Sequence, residues 1–107
     1  MQIKRMEVIM KHSLENETLT IYLEGEVNSA NAGDVEKEIR RIISQNSFKS
    51  LVLDLEDLTY LSSAGIRIVI CLKQDYGDVS MVKASEEIYS IFYMVGLHKM
   101  MKIDKQS

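Results

Sequence analysis

The sequence predicts an α/β fold: a mixed β-sheet that opens with an N-terminal β-hairpin, runs in the order β-β-α-β-α-β-α, and has helices covering the sheet. Three observations carry this. Leu19, Ile21 and Leu23 alternate with Thr18, Thr20 and Tyr22, the period of a half-buried strand. Val35, Ile39, Ile42 and Ile43 then fall at i, i+4, i+7 and i+8, a single helical stripe. Finally, two short apolar runs, residues 50–55 and 78–83, are separated by a stretch of helical length, as a parallel strand pair requires.

Each element follows in order. Met6, Val8 and Met10 alternate with Glu7 and Ile9 and read as the first hairpin strand. "LENE" supplies the turn, with Asn16 suited to a left-handed backbone. Residues 18–23 form the second strand. In "NSANAGDVEKEIRRIISQN", Ser29 is the expected N-cap, and Glu36 lies four residues before Arg40, a favourable helix pair. "EKEIRR" reads as a solvated helix face. "SLVLDL" suits a strand covered on both faces. "IRIVICL" is β-branched enough for a strand, but the serines before it are a start signal and Gly77 a stop signal, which favours a helix. Asp78 opens the next strand. Ser85 caps a helix carrying Ile88, Ile91, Phe92 and Val95 on one stripe, with Glu86 and Glu87 in its first turn and Gly96 ending it. A last short segment ends near Ile103. The expected core is Leu19, Ile21, Leu23, Leu51, Leu53, Ile66, Val69, Ile70, Val79, Met81, Ile88 and Phe92.

The chain has 107 residues, which suits one domain with one modest core. A net charge of −3 with both signs interspersed gives no basic patch for nucleic acid. No apolar run reaches the ~20 residues of a membrane span. "MQIKRMEVIM" has neither the apolar core nor the cleavage site of a signal peptide, so a cytoplasmic location is expected. Cys71 is the single cysteine; an internal disulfide is excluded, and inside an apolar helix it reads as a small core residue.

The stretch that carries a question is "TYLSSAGIRIVI", where two serines sit at a strand-to-helix junction. A serine nucleophile needs a base in reach, and only His12 and His98 are available, neither placed by its spacing. The hydrolase elbow Gly-x-Ser-x-Gly is absent, as are both usual phosphate loops and any Cys/His cluster for zinc. No catalytic residue, metal or cofactor is therefore expected. A response-regulator receiver would use Asp54 near a strand end, but this chain opens with a hairpin and lacks the paired acids. What remains is an N-cap, Ser62 or Ser63 accepting a backbone N–H for ~1 kcal/mol, or an acceptor for modification. Gly65, a poor helix former, would leave the backbone there open to an approaching group.

"LVLDLEDLTYLSSAGIRIVI" resembles the signature of STAS domains, named for sulphate transporters and anti-sigma factor antagonists. "IYLEGEVNSANAGDVEKEI" is similar to the family's preceding strand–loop–helix, and "VSMVKASEEIYSIFYMVGLHKMMKI" to its C-terminal part. The resemblance spans roughly residues 6–103 and implies a STAS-like fold with one domain over 1–107. No transporter spans accompany it, so the stand-alone antagonist branch is the closer match. That branch implies a binding module and not an enzyme, with a serine-kinase-type anti-sigma factor as partner. Aligning Gly65 with the family's glycine puts the phosphorylated position on Ser63, with Ser62 as runner-up. Ser62 stands where many members have aspartate, and Asn28, in "GEVN", falls on the family's loop aspartate. The implied partner surface is Asn28, Ser62, Ser63, Ala64, Gly65 and Arg67. A monomer or weak dimer is expected. The alternatives are an unswitched accessory subunit of a lipid or anion transporter and, from another class, a small nucleotide-binding protein.

Overall fold

The computed structural model describes residues 10–107. The chain runs β1 (Lys11–Glu15), β2 (Thr18–Val27), α1 (Ala32–Ser44), β3 (Ser50–Leu61), α2 (Ser63–Tyr76), β4 (Val79–Ala84), α3 (Glu86–Met94), a 3-10 turn (Leu97–Lys99) and β5 (Ile103–Lys105). The expected order is therefore found, with a fifth strand added at the end. Apart from Met10, the strand expected over residues 6–10 lies outside the described residues; the strand that pairs is Lys11–Glu15. Asn16 (φ 51°) and Glu17 (φ 65°) are both left-handed and join Glu15 to its pair Thr18. This mirror-image turn matches the twist of the strands it joins.

The sheet order is the chain order, β1-β2-β3-β4-β5. β1 is antiparallel to β2, and every later pair is parallel. All three crossovers step one strand along in the same direction, so right-handed connections bring all three helices to a single face of the sheet. Leu19, Ile21, Leu23, Leu51, Leu53, Leu55, Val79 and Met81 are buried there. α1 adds Val35, Ile39, Ile42 and Ile43, and α3 adds Ile88 and Phe92. The opposite face carries half-buried Thr20, Tyr22, Val52, Ser80 and Val82. Among the described residues, "SLVLDL" is thus covered by helices on one side only, contrary to the expectation, and neighbouring strands shield its second side.

Other departures have local causes. β3 runs on to Leu61, six residues past the expected end, because its second half pairs with β2 after register shifts between Tyr22/Glu24 and Gly25/Glu26. Gly25 takes the positive φ (71°) at that break, and Thr59 Oγ1 donates to its carbonyl at 2.9 Å. Pairing of β3 with β4 stops at Asp54↔Val82, so the last part of β2 and β3 continues as a two-stranded ribbon. Ser29 is not the cap of α1; Asn31 is, and α1 begins at Ala32. The Glu36–Arg40 pair forms at 3.0 Å. In α2 the buried residues are Gly65, Ile68, Val69 and Leu72, while Ile66 and Ile70, expected in the core, are half-buried. In α3 the stripe stops at Phe92: Ile91 is half-buried, and Val95, just past the helix, is exposed. Ser85 caps α3 as expected, accepting the Ile88 N–H at 3.2 Å, and Gly96 follows in the left-handed conformation.

Candidate functional site

The ribbon of β2 and β3 delivers two loops side by side. The N–H of Ser62 donates to the carbonyl of Val27 at 2.8 Å, so "VNSAN" and "LSSAG" are locked together at the C-terminal ends of adjacent parallel strands, the usual place for sites in α/β sheets. Asn28 is half-buried, and its backbone N–H and side-chain oxygen are both engaged. Its Oδ1 accepts the N–H groups of Ala30 and Asn31 at 3.0 Å each, and its own N–H donates to Asn31 Oδ1 at 2.8 Å. Asn31 Nδ2 in turn reaches the carbonyl of Glu26 at 2.9 Å. This reciprocal pair shapes the loop and sets the start of α1, a task open to any short side chain with an acceptor oxygen. The sequence reading missed Asn31; the signal was an Asn at each end of "NSAN", the i, i+3 spacing of reciprocal capping.

The two serines divide their tasks. Ser62 is the N-cap of α2, with extended backbone (φ −81°, ψ 172°), and its Oγ accepts the N–H of Gly65 at 3.4 Å. Ser63 is the first helical residue, is exposed, and its hydroxyl has no partner among the described residues. No acidic residue lies in the first turn of α2, so the positive end of the helix dipole is left uncompensated there. Gly65 serves packing. A Cβ on it would come within 2.3 Å of Leu61 Cδ1 and 3.0 Å of Val27 Cγ1. The residue is buried, which corrects the expectation that it opens the backbone to an approaching group; it lets α2 close onto the strand ends. Beside it runs a shallow groove of about 290 Å³ between α1 and α2, lined by Ala32, Gly33, Glu36, Ala64, Arg67, Ile68 and Cys71. Arg67 is exposed. Cys71 is half-buried on this groove, not enclosed in the core as expected. Of the expected surface residues, Ser63 and Arg67 are therefore exposed at the start of α2 with half-buried Ala64 between them, and Asn28, Ser62 and Gly65 hold it in place.

The remaining titratable groups do not assemble at the serines. His12 is exposed on β1. His98 stacks on Tyr93 with ring centroids 4.2 Å apart, beyond the C-terminal end of α3. Asp54 lies within β3, well before its end, and is 6% exposed. Its Oδ1 accepts the N–H of Glu56 at 3.0 Å, and its Oδ2 is 3.7 Å from Lys83 Nζ. Glu56 and then Asp54 hold the Lys83 amine above its ordinary value by their charge. Asp54 is thus tied into the strand. Among the described residues no group of His, Cys, Asp and Glu has the makings of a metal site, and no helix is long and apolar enough to cross a membrane.

A sheet built by successive same-handed βα steps, with a serine cap at the third strand's end, defines the class; the family follows from direct comparison. The STAS domain model matches residues 9–107. The chain belongs to the STAS domain family. Over 78 residues, 69% of the chain and 66% of the relative, it is 35% identical to BtrV of Bordetella bronchiseptica, whose assigned role is anti-sigma factor antagonist. Among solved structures it resembles an anti-sigma factor antagonist from Mycobacterium paratuberculosis, with TM-score 0.79 and 17% identity over 90% of this chain and 84% of that one. It also resembles the antagonist SpoIIAA in its unphosphorylated form, with TM-score 0.71 and 19% identity over 89% of this chain and 87% of that one. The Bacillus SpoIIAA structure in the phosphorylated form gives a TM-score of 0.64 at the same identity, over 89% of this chain and 90% of that one.

Proposed function

We propose that this chain is an anti-sigma factor antagonist, a binding module that docks a serine-kinase-type anti-sigma factor at the paired loops and is released when Ser63 is phosphorylated. One observation carries the choice of residue: of the two serines, Ser62 spends its hydroxyl on the cap, whereas Ser63 presents a free, exposed one. The antagonist role assigned to BtrV and the existence of a phosphorylated form of SpoIIAA support the reading. A phosphate on Ser63 brings roughly −1.5 to −2 charges to the uncompensated positive end of α2. Arg67, one turn further on, is placed to pair with it. The fold therefore accepts the phosphate, and its effect falls on the partner through repulsion and desolvation.

Incubation with a purified kinase-type anti-sigma factor and ATP, followed by mass spectrometric mapping, tests this. Phosphate on Ser63 is expected. Phosphate on Ser62, or on neither serine while the partner still binds, overturns the switch. Transporter subunits in a pull-down would support the accessory-subunit reading instead, and nucleotide binding by this chain alone in calorimetry would support the nucleotide-binding one.

A further inference from the structure

Among the described residues β1 is an edge strand of the sheet, and its charges are complementary to themselves when the strand is reversed, a cation at one end and an anion at the other. Its sequence is Lys11-His12-Ser13-Leu14-Glu15, and all but Ser13 are exposed. It has five unbroken pairs to β2, no proline and no bulge, so none of those devices blunts the edge. In a hairpin with a two-residue loop, Glu15, Ser13 and Lys11 exchange backbone hydrogen bonds with β2, which leaves the N–H and C=O groups of His12 and Leu14 pointing outward. We propose that β1 is a self-association edge, pairing antiparallel with β1 of a second copy about a two-fold axis at Ser13. In that register His12 and Leu14 of one copy exchange backbone hydrogen bonds with Leu14 and His12 of the other. Lys11 then lies directly opposite Glu15 of the second copy, twice over. These are non-hydrogen-bonded pairs, where opposed side chains come closest. Leu14, 44% exposed, meets its own copy diagonally across the axis. Shifting the register by two residues either way removes both Lys–Glu pairs, and parallel in-register pairing sets like charges side by side. The contact is isologous and closed, so it ends at a dimer, a ten-stranded sheet with a proposed Ser63 site at each of two opposite ends.

Sedimentation equilibrium up to about 1 mM protein tests the proposal with charge reversals. Lys11→Glu and Glu15→Lys should each weaken self-association about tenfold by setting like charges opposite in both pairs. The double variant Lys11→Glu/Glu15→Lys should restore it. An equimolar mixture of the two single variants should associate with each other more tightly than either does with itself, since every cross-strand pair is then of opposite sign. Thermal melts of the dilute variants should match the parent, because these side chains are exposed. A chain that stays monomeric at the highest concentration overturns the proposal, as does a dimer indifferent to the single reversals or one not rescued by the double. A monomer whose β1 amides shift only when the anti-sigma partner is added would assign the edge to that partner and overturns it equally.

Discussion

Ser62 and Ser63 are adjacent, chemically identical and physically unlike. Ser62 Oγ satisfies one of the helix N–H groups that lack an intrahelical partner. Ser63 Oγ has no partner among the described residues. Ser62→Ala should therefore destabilise the fold by ~1 kcal/mol, lowering the melting temperature by about 4–8 °C for a domain near this size, while Ser63→Ala should melt like the parent. Paired thermal melts decide it; equal losses in both variants would mean that the cap is shared. The sequence made both serines visible as candidate caps and left open which one caps, because the choice depends on where the backbone turns from extended to helical. That is fixed from outside the segment, by the Ser62 N–H bond to Val27.

At the scale of elements, the hairpin turn holds a cost that its sequence can shed. Glu17 sits at φ 65°, a region costing a side-chain-bearing residue ~1–2 kcal/mol, whereas Asn-Gly is the preferred pair for this turn. Glu17→Gly gives up an exposed pair with Lys49 at 3.2 Å, worth ~0–1 kcal/mol, and should still raise stability by ~0.5 kcal/mol. A denaturant midpoint that falls would show that the ion pair outweighs the strain. α2 shows the limit of pattern reading. "GIRIVICL" is apolar almost all round, so its alternative stripes look alike; the observed one is Gly65, Ile68, Val69 and Leu72, and its first member is a glycine that packs by having no side chain. A stripe counted only in large apolar residues slips to Ile66 and Ile70. The facing is directly testable: Ile68→Ala should cost ~2–4 kcal/mol as a buried truncation, with Ile70→Ala well below it in the same unfolding experiment.

For the whole molecule, strand and helix identities were legible because period, caps and stop glycines agree along most of the chain. The fifth strand was not, since three residues are too few to show a period. The candidate site was half legible. Its location followed from the serines, but the side-by-side placement of the Asn28 and Ser62 loops arises because β2 and β3 end together, Val27 opposite Leu61. That coupling gives the proposed switch its character. The loops are held by backbone and amide bonds that a phosphate on Ser63 does not touch. Ser63→Glu should thus melt like the parent yet bind the anti-sigma factor about a hundredfold more weakly, a difference of ~2.7 kcal/mol. A variant that both unfolds early and fails to bind would place the effect in the fold instead of at the interface.

The row of strands also differs in strength from one end to the other. β2 and β3 share nine registered pairs, whereas β5 meets β4 at Met81↔Ile103 and Ala84↔Lys105 with a break between them. Local opening is cheapest where few contacts hold a segment, so the C-terminal strand should unzip alone, long before global unfolding. In native-state hydrogen exchange, the Gln106 amide, bonded to the Ala84 carbonyl at 2.8 Å, should exchange far faster than the amides of Ile21 and Leu53. Fraying there gives up the Gln106 Nε2 bond to the Glu56 carbonyl at 2.9 Å but leaves the β2–β3 pairing and the Ser62–Val27 bond in place. The C-terminal edge can therefore breathe, or be clipped by a protease, without the loss of the surface proposed to meet the partner.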